Sequence, residues 1–125
     1  MLEIIDELKT NAIDLGCYPY VGHISTLHQW NTNDYPFVGI QFNSCDEVIN
    51  YQFTIYYLEV IPADHPELTE EAIFERGIAV VLKMIKDMNY SNVDIQAVRN
   101  TGTDCTSGVV MEVTITEQTD PECLI

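Results

Sequence analysis

The feature that most constrains this fold is a helical pattern over residues 69–89, TEEAIFERGIAVVLKMIKDMN. Its apolar residues recur at steps of three and four, which places them on one side of an α-helix: Ile73, Phe74, Gly77, Ile78, Val81, Met84, Ile85 and Met88. Thr69 is the predicted N-cap, and Lys83 and Lys86 lie near the far end, where the helix dipole favours positive charge. We therefore predict one long helix whose apolar side covers a sheet.

Length and charge set the broad class. The chain has 125 residues, enough for a single domain with its own core. Twenty acidic residues against five basic ones give a formal charge of -15, yet 46% of the residues are hydrophobic, so the sequence predicts a folded acidic domain. Such a surface repels nucleic-acid phosphates and anionic membranes, which argues against direct DNA binding.

The four cysteines, Cys17, Cys45, Cys105 and Cys123, show no CxxC spacing, and no secretory signal precedes them. We expect reduced thiols in a protein that is made in a cytoplasm and stays there or in something assembled there. No apolar run is long enough to span a membrane, so we expect no membrane partner.

The N-terminal part predicts a helix, a short strand and a loop. Residues 2–15 form an amphipathic helix that Gly16 ends. Residues 18–24 form a short strand, and Pro19 and Gly22 favour an edge position for it. Residues 25–34 form a polar loop.

The middle of the chain predicts a hairpin. Residues 35–42 and 49–57 both read as strands, joined by a polar turn at 43–47. Residues 58–61 then lead away from the sheet edge, and the proline-flanked segment 62–67 links to the long helix.

Two further strands follow the helix, at residues 93–97 and 109–116, both with alternating apolar and polar residues. The intervening residues 100–108 are predicted to form a flexible projecting loop, and residues 117–125 an acidic tail. The predicted fold is α+β in the order α-β-β-β-α-β-β. Two helices pack on a mostly antiparallel four- to five-stranded sheet as a two-layer sandwich.

The search for catalytic or metal-binding chemistry is negative. No nucleophile elbow, phosphate loop, zinc-protease helix or EF-hand loop occurs. His23 and His28 lack the close ligand pairing of a metal site, and Asp64-His65 in a proline-flanked linker has no nearby nucleophile. We expect no cofactor, no metal and no enzymatic activity.

Two aromatic residues suggest contacts with other subunits. Trp30 lies in a polar loop, where an indole often serves as an interface anchor, although packing on its own domain is more common. Tyr56 is predicted to lie on the face opposite Tyr51, Phe53 and Ile55. A face that exposes an aromatic residue in this way favours an oligomer.

Several segments together resemble one family. They are YPFVGIQF at 35–42, FTIYYLEV at 53–60, EEAIFERGIAVVLKMIKDM at 70–88 and GVVMEVTI at 108–115. In their order, with a proline-marked loop before the helix, they resemble the tail-terminator and tail-completion proteins of tailed bacteriophages. The resemblance covers most of the chain as a pattern of elements, without a diagnostic motif.

The resemblance implies a structural virion protein. It would form a ring with itself, a hexamer or a multiple, at the neck or tail, contact neighbouring virion proteins, and let DNA pass an acidic lumen without specific binding. It would be assembled in the host cytoplasm. The expected interface residues come from two loops, by resemblance, and from the outer sheet face: His28, Trp30, Tyr56, Asn100, Thr103, Asp104 and Ser107.

Two alternatives come from other classes. An acidic inhibitor that mimics DNA and fills the basic groove of a host defence enzyme explains the charge equally well. A small α+β enzyme or ligand-binding module is the other, and a polar pocket around His23, His28 or Asp64 would favour it.

Overall fold

The computed structural model describes residues 2–22, 36–45, 50–60, 66–101 and 106–116, which form two helices and five strands. In chain order they are α1 (Leu2–Asp14), β1 (Tyr18–Val21), β2 (Phe37–Cys45), β3 (Asn50–Val60), α2 (Pro66–Ile85), β4 (Tyr90–Thr101) and β5 (Thr106–Thr116). The predicted α+β class, element order and two-layer arrangement are confirmed.

The sheet has the strand order β1-β2-β3-β5-β4. β1 runs parallel to β2, and all other neighbours are antiparallel. The predicted β2–β3 hairpin and the edge position of β1 are confirmed. β5, which follows β4 in the chain, lies between β3 and β4, so the β3–β5 pairing joins residues that are distant in sequence.

Both helices lie on one face of the sheet. α1 packs on β1, and α2 mainly on β5 and β3. The side chains between the layers form one buried core, with these members from the two central strands and α2: Phe53, Ile55, Tyr57, Val109, Met111, Val113, Ile115, Ile73, Val81, Met84 and Ile85. Each fully buried aliphatic side chain contributes about 1.5–3 kcal/mol, so this core is the main source of stability.

α1 ends as predicted. The amide of Cys17 donates to the carbonyl of Ala12 and that of Gly16 to Ile13, both at 3.0 Å, and Gly16 has a φ of 81°. These are the paired bonds of a Schellman motif, whose left-handed position glycine fills without a Cβ penalty. The Asn11 side chain then donates to the Met84 carbonyl at 2.7 Å and ties the two helices together.

α2 begins earlier and is less completely covered than predicted. It starts at Pro66, so the prediction that Thr69 caps it is wrong; proline suits a first helical turn because its missing amide would have no partner there. Ile78, predicted for the buried side, is 40% exposed, and Leu82 is 39% exposed. Gly77 faces the sheet so closely that a Cβ there would lie 2.9 Å from side-chain atoms of Tyr57 and Val109.

Four strands extend beyond their predicted limits: β2, β3 and β4 at their ends and β5 at its start. β2 continues through the predicted turn to Cys45, with a bulge between Phe42 and Ser44. β3 continues to Val60, which pairs with Thr106 and does not leave the sheet. β4 and β5 pair as far as Thr101 and Thr106, so residues 100, 101 and 106–108 of the predicted loop belong to strands, and residues 102–105 lie outside the described residues.

Polar cross-strand bonds explain part of this difference. The Asn43 side chain donates to Thr54 Oγ1 at 2.6 Å, Ser44 Oγ donates to Gln52 at 3.1 Å, and Thr116 Oγ1 donates to Asn50 at 2.5 Å. Such pairs stabilise two paired strands without apolar side chains. The polar composition of these segments is therefore typical of a turn, although their backbones are hydrogen-bonded within the sheet.

Candidate interaction surfaces

The sheet face opposite the helices, here called the outer face, has an apolar half and a polar half. The register places two apolar rows side by side across the strands: Tyr18, Phe37, Leu58, Gly108 and Val98 in one, and Tyr20, Gly39, Tyr56, Val110 and Gln96 in the next. The following row is polar: Gln41, Thr54, Glu112 and Asp94. The apolar half lies over β1, β2 and β3, towards the β1 edge.

Aromatic side chains dominate the apolar half. The rings of Tyr20 and Phe37 lie 6.1 Å apart, and Phe37 is buried although both described helices lie on the other face. Tyr56 is half-buried one strand further, with only the backbone of Gly39 between it and Tyr20 in the register. The surface is therefore a shallow aromatic band that a flat partner surface could cover.

The hydroxyl of Tyr56 stays protonated over a wide pH range. Burial, and to a smaller extent the nearby Glu112 carboxylate, raise the pKa of Tyr56. A neutral tyrosine can donate one hydrogen bond while its ring packs against apolar atoms. This combination is typical of residues at protein–protein interfaces.

A polar cluster of Tyr57, Glu59 and Arg76 lies on the helix side of the sheet, at the end of β3. Glu59 accepts hydrogen bonds from the hydroxyl of Tyr57 and from Nε and Nη2 of Arg76, the latter two at 2.8 and 2.9 Å. Burial, followed by the bond to Glu59, raises the pKa of Tyr57 well above its usual range. Burial and then the charge of Glu59 raise the pKa of the Cys17 thiol.

The contacts of this cluster hold the helix layer against the sheet. A nucleophilic cysteine needs a lowered pKa, and that of Cys17 is shifted the opposite way in a buried position. The Arg76–Glu59 pair instead holds α2 against β3 with two parallel bonds. Neither Cys17 nor Cys45 takes part in a disulfide.

The part of the chain that the structure describes gives no metal site. No group of three His, Cys, Asp or Glu side chains there comes close enough to hold an ion. A shallow cleft between the start of α1 and the end of β5 is lined by Glu3, Glu7 and Asp87, together with Asn89 and Thr116. It is an acidic surface cleft.

The predicted interface residues fall into three groups. Tyr56 lies on the outer face as predicted. Ser107 does not lie in a loop: it belongs to β5, opposite Glu59, and is fully buried, so its assignment to a partner interface is wrong. Asn100 belongs to β4. The side chain of Asn100 and all of His28, Trp30, Thr103 and Asp104 lie outside the described residues.

The sequence prediction missed the neighbours of Tyr56. Tyr20 and Val110 lie in its row on the outer face, and neither was predicted there. The alternation of β5 contains the signal for Val110, which is an apolar residue between the buried Val109 and Met111. The signal for Tyr20 depends on the parallel pairing of β1, which local sequence does not encode.

None of the described helices is long and apolar enough to cross a membrane. No protein-family model matches the chain, and no curated protein sequence matches it. Among solved structures, it is similar to the mycobacterial sensor histidine kinase MprB, with 15% identity, a TM-score of 0.37, and coverage of 94% of this chain and 96% of that one. It is also similar to the Acinetobacter baumannii histidine kinase AdeS, with 12% identity, a TM-score of 0.34, and coverage of 94% and 64%. Likenesses at this level carry no argument about function.

Proposed function

We propose that this chain is a structural virion protein of a tailed bacteriophage, which assembles into a ring at the neck or tail and has no catalytic role. The observation that carries the proposal is the apolar half of the outer face. Tyr18 is 48% exposed there, and Tyr20, Tyr56, Leu58 and Val110 are half-buried on a face that neither of the two described helices covers. A contiguous apolar patch of this kind marks a protein contact.

The charge supports the same role. A closed ring of six subunits multiplies a formal charge of -15 sixfold. DNA passing an acidic lumen releases no condensed counterions, because no Lys or Arg replaces them, so it does not adhere to the wall. The acidic lumen therefore repels the DNA that passes through it and does not bind it.

The geometry of the outer face suits contacts between unlike surfaces. Its aromatic band lies near the β1 edge, whereas the two carboxylates of its polar row, Glu112 and Asp94, lie on β5 and β4. The face is therefore not symmetric about its centre. A contact that joins this face to a different surface of the next subunit is heterologous, and heterologous contacts generate rings when the rotation closes.

The test is the mass and shape of the purified chain. Native mass spectrometry and negative-stain electron microscopy, alone and with the neck and tail proteins encoded beside it, should show rings or incorporation into tails. Tyr56→Glu should prevent this, because it places a charge in the aromatic band. Gln52→Glu is the matched control, since Gln52 is exposed on the same strand and face but at its polar end.

The DNA-mimic alternative makes a different prediction from the same charge. A monomer or dimer that forms a stable complex with a DNA-binding defence enzyme, and no ring with or without tail proteins, would overturn the ring proposal in its favour. A bound small ligand in the purified protein would instead favour the enzyme or ligand-binding module.

A further inference from the structure

The two edges of the sheet differ in how open they are to another strand. In β1 the amides of Tyr18 and Gly22 donate to β2, at 2.9 and 3.0 Å. The alternation of a strand therefore turns the backbone nitrogens of Pro19 and Val21 outward, and proline has no N–H to offer. β1 is thus a short edge of four residues that is blocked by its own proline.

β4 is the opposite case. It spans twelve residues without a proline or a lysine, and in the sheet that the structure describes nothing pairs with its outer side. A bulge between Ser91 and Asp94, with Asn92 at a φ of 54°, interrupts only its beginning. From Asp94 to Val98 the register with β5 is continuous. Long open edges of this kind are templates for a further strand.

The surface beside this edge is apolar. α2 covers β5 and β3 and barely reaches β4, so Val93 is 36% exposed, Ala97 is exposed and Ile95 is half-buried. Ile78 and Leu82 are exposed on the flank of α2. At 100° per residue they lie across the helix from Arg76, which reaches Glu59 on β3, and therefore on the side towards β4.

We propose that a second copy of this chain pairs its β4 antiparallel with β4 across a two-fold axis near Gln96, which joins the two five-stranded sheets into one of ten strands. In this register Asp94 lies opposite Val98 of the partner subunit and Ile95 lies opposite Ala97 of the partner subunit. Residues of the outer face therefore lie opposite residues of the outer face, and helix-facing residues lie opposite helix-facing residues. No carboxylate lies opposite another carboxylate.

The charges along α2 favour a second copy as the occupant. Gly77 lies against Val109, which pairs with Ala97, so the proposed axis passes just beyond Gly77 along the helix. The two helices then lie antiparallel on the same face. The exposed Glu71 of one copy is at the level of the exposed Lys86 of the other, with the apolar flanks between them, whereas Lys83 lies within about 20° of Arg76 and therefore on the side away from the partner.

A head-to-tail extension of the sheet does not offer the same contact, because it would join β4 to the edge blocked by Pro19. The inference does not rest on the proposed function. If both hold, the β4 contact links subunits in pairs and the outer face joins the pairs into the ring.

A cysteine on the two-fold axis tests the pairing directly. Paired residues of antiparallel strands have Cα atoms about 4.5–5.5 Å apart, within the range of a disulfide. In a chain with Cys45, Cys105 and Cys123 replaced by serine, Gln96→Cys should form a covalent dimer under mild oxidation. Gln52→Cys, equally exposed but on the central strand β3, should remain a monomer. Equal cross-linking of both variants, or none in Gln96→Cys, would overturn the proposal.

A second variant tests the helix flank. Ile78→Lys/Leu82→Lys should leave the circular dichroism spectrum unchanged because both positions are exposed, and should weaken the dimer by about tenfold or more in analytical ultracentrifugation. An unchanged dissociation constant would contradict the proposed geometry. Rings that form without a Gln96→Cys cross-link would overturn this inference alone, and a cross-linked dimer that never forms rings or joins tails would overturn only the proposed function.

Discussion

The guanidinium of Arg76 on α2 binds both carboxylate oxygens of Glu59 on β3, with Nε–Oε2 and Nη2–Oε1 distances of 2.8 and 2.9 Å. The same carboxylate accepts the hydroxyl of Tyr57, which is buried. The two partners of Glu59 therefore differ in their access to water, since the Arg76 side chain is 52% exposed.

Removing the Glu59 carboxylate should lower the free energy of unfolding more than removing the Arg76 guanidinium does. Glu59→Ala leaves the buried Tyr57 hydroxyl without its acceptor, which should lower the free energy of unfolding by about 1–3 kcal/mol. Arg76→Ala should cost only about 0.5–1 kcal/mol, because the pair is partly screened by water. Urea unfolding at neutral pH measures both. Lys83→Ala, exposed on the same helix, is the control and should change stability by less than about 0.5 kcal/mol. An equal cost for Glu59→Ala and Arg76→Ala would contradict the assigned role of Tyr57.

Alkaline pH should destabilise the fold. The pKa values of Cys17 and Tyr57 are raised from ordinary values of 9.0 and 10.0. Above those values the unfolded chain releases protons that the folded chain still holds, so stability is full below about pH 9 and falls as the pH rises further. Urea midpoints between pH 7 and 11 should show this decline.

Two variants separate the contributions to this decline. Cys17→Ala should reduce the part that begins near pH 9, and Tyr57→Phe the part that begins near pH 10, to which Tyr56 also adds because its pKa is raised. A stability that stays level up to pH 11 in the unmodified chain would contradict the burial of these groups.

Two glycines should tolerate alanine to different degrees. At Gly77 a Cβ would come within 2.9 Å of side-chain atoms of Tyr57 and Val109, which can shift. The overpacking should lower the free energy of unfolding by about 1–3 kcal/mol, and the higher helix propensity of alanine should restore about 1 kcal/mol of it. At Gly108 the Cβ would lie 1.6 Å from the Tyr57 carbonyl oxygen, so β5 cannot keep its place beside β3. Thermal unfolding should show a moderate loss for Gly77→Ala and a severe one for Gly108→Ala, and the reverse order would contradict the register of β3 and β5.

α2 should remain folded with a charged residue on its exposed flank towards β4, but not with one on the side that is buried against the sheet. Ile78→Asp should remain folded, since Ile78 is 40% exposed, whereas Val81→Asp places a carboxylate in a fully buried position and should abolish folding. Circular dichroism and urea unfolding distinguish the two. Loss of folding in Ile78→Asp would mean that this flank is buried within the subunit.

Local periodicity was sufficient to predict the helices, the β2–β3 hairpin and the edge position of β1, because each depends on neighbouring residues. It was insufficient for Ile78, because the width of a helix's buried side depends on how far the sheet extends beneath it, and α2 contacts β4 much less than β5. The strand ends were misjudged where bonds such as Asn43–Thr54 replace apolar contacts. Ser107 was misplaced because serine and threonine next to a glycine are typical of loops, although Ser107 belongs to β5 and is buried.

The outer face was predictable only in part. Alternation along β3 placed Tyr56 correctly, since it is a property of one strand. The aromatic band around it needs Tyr20 from β1 and Val110 from β5, and those contacts join strands that are far apart in the chain.

The central position of β5 also determines when this protein can fold. Its helix-facing residues Val109, Met111, Val113 and Ile115 are all buried, and β4 meets the rest of the sheet only through it. A nascent chain still lacking residues 106–116 would hold α2 over an unfilled gap, with β3 and β4 unable to meet. Folding during synthesis is therefore expected to stop short of a native core until β5 has left the ribosome.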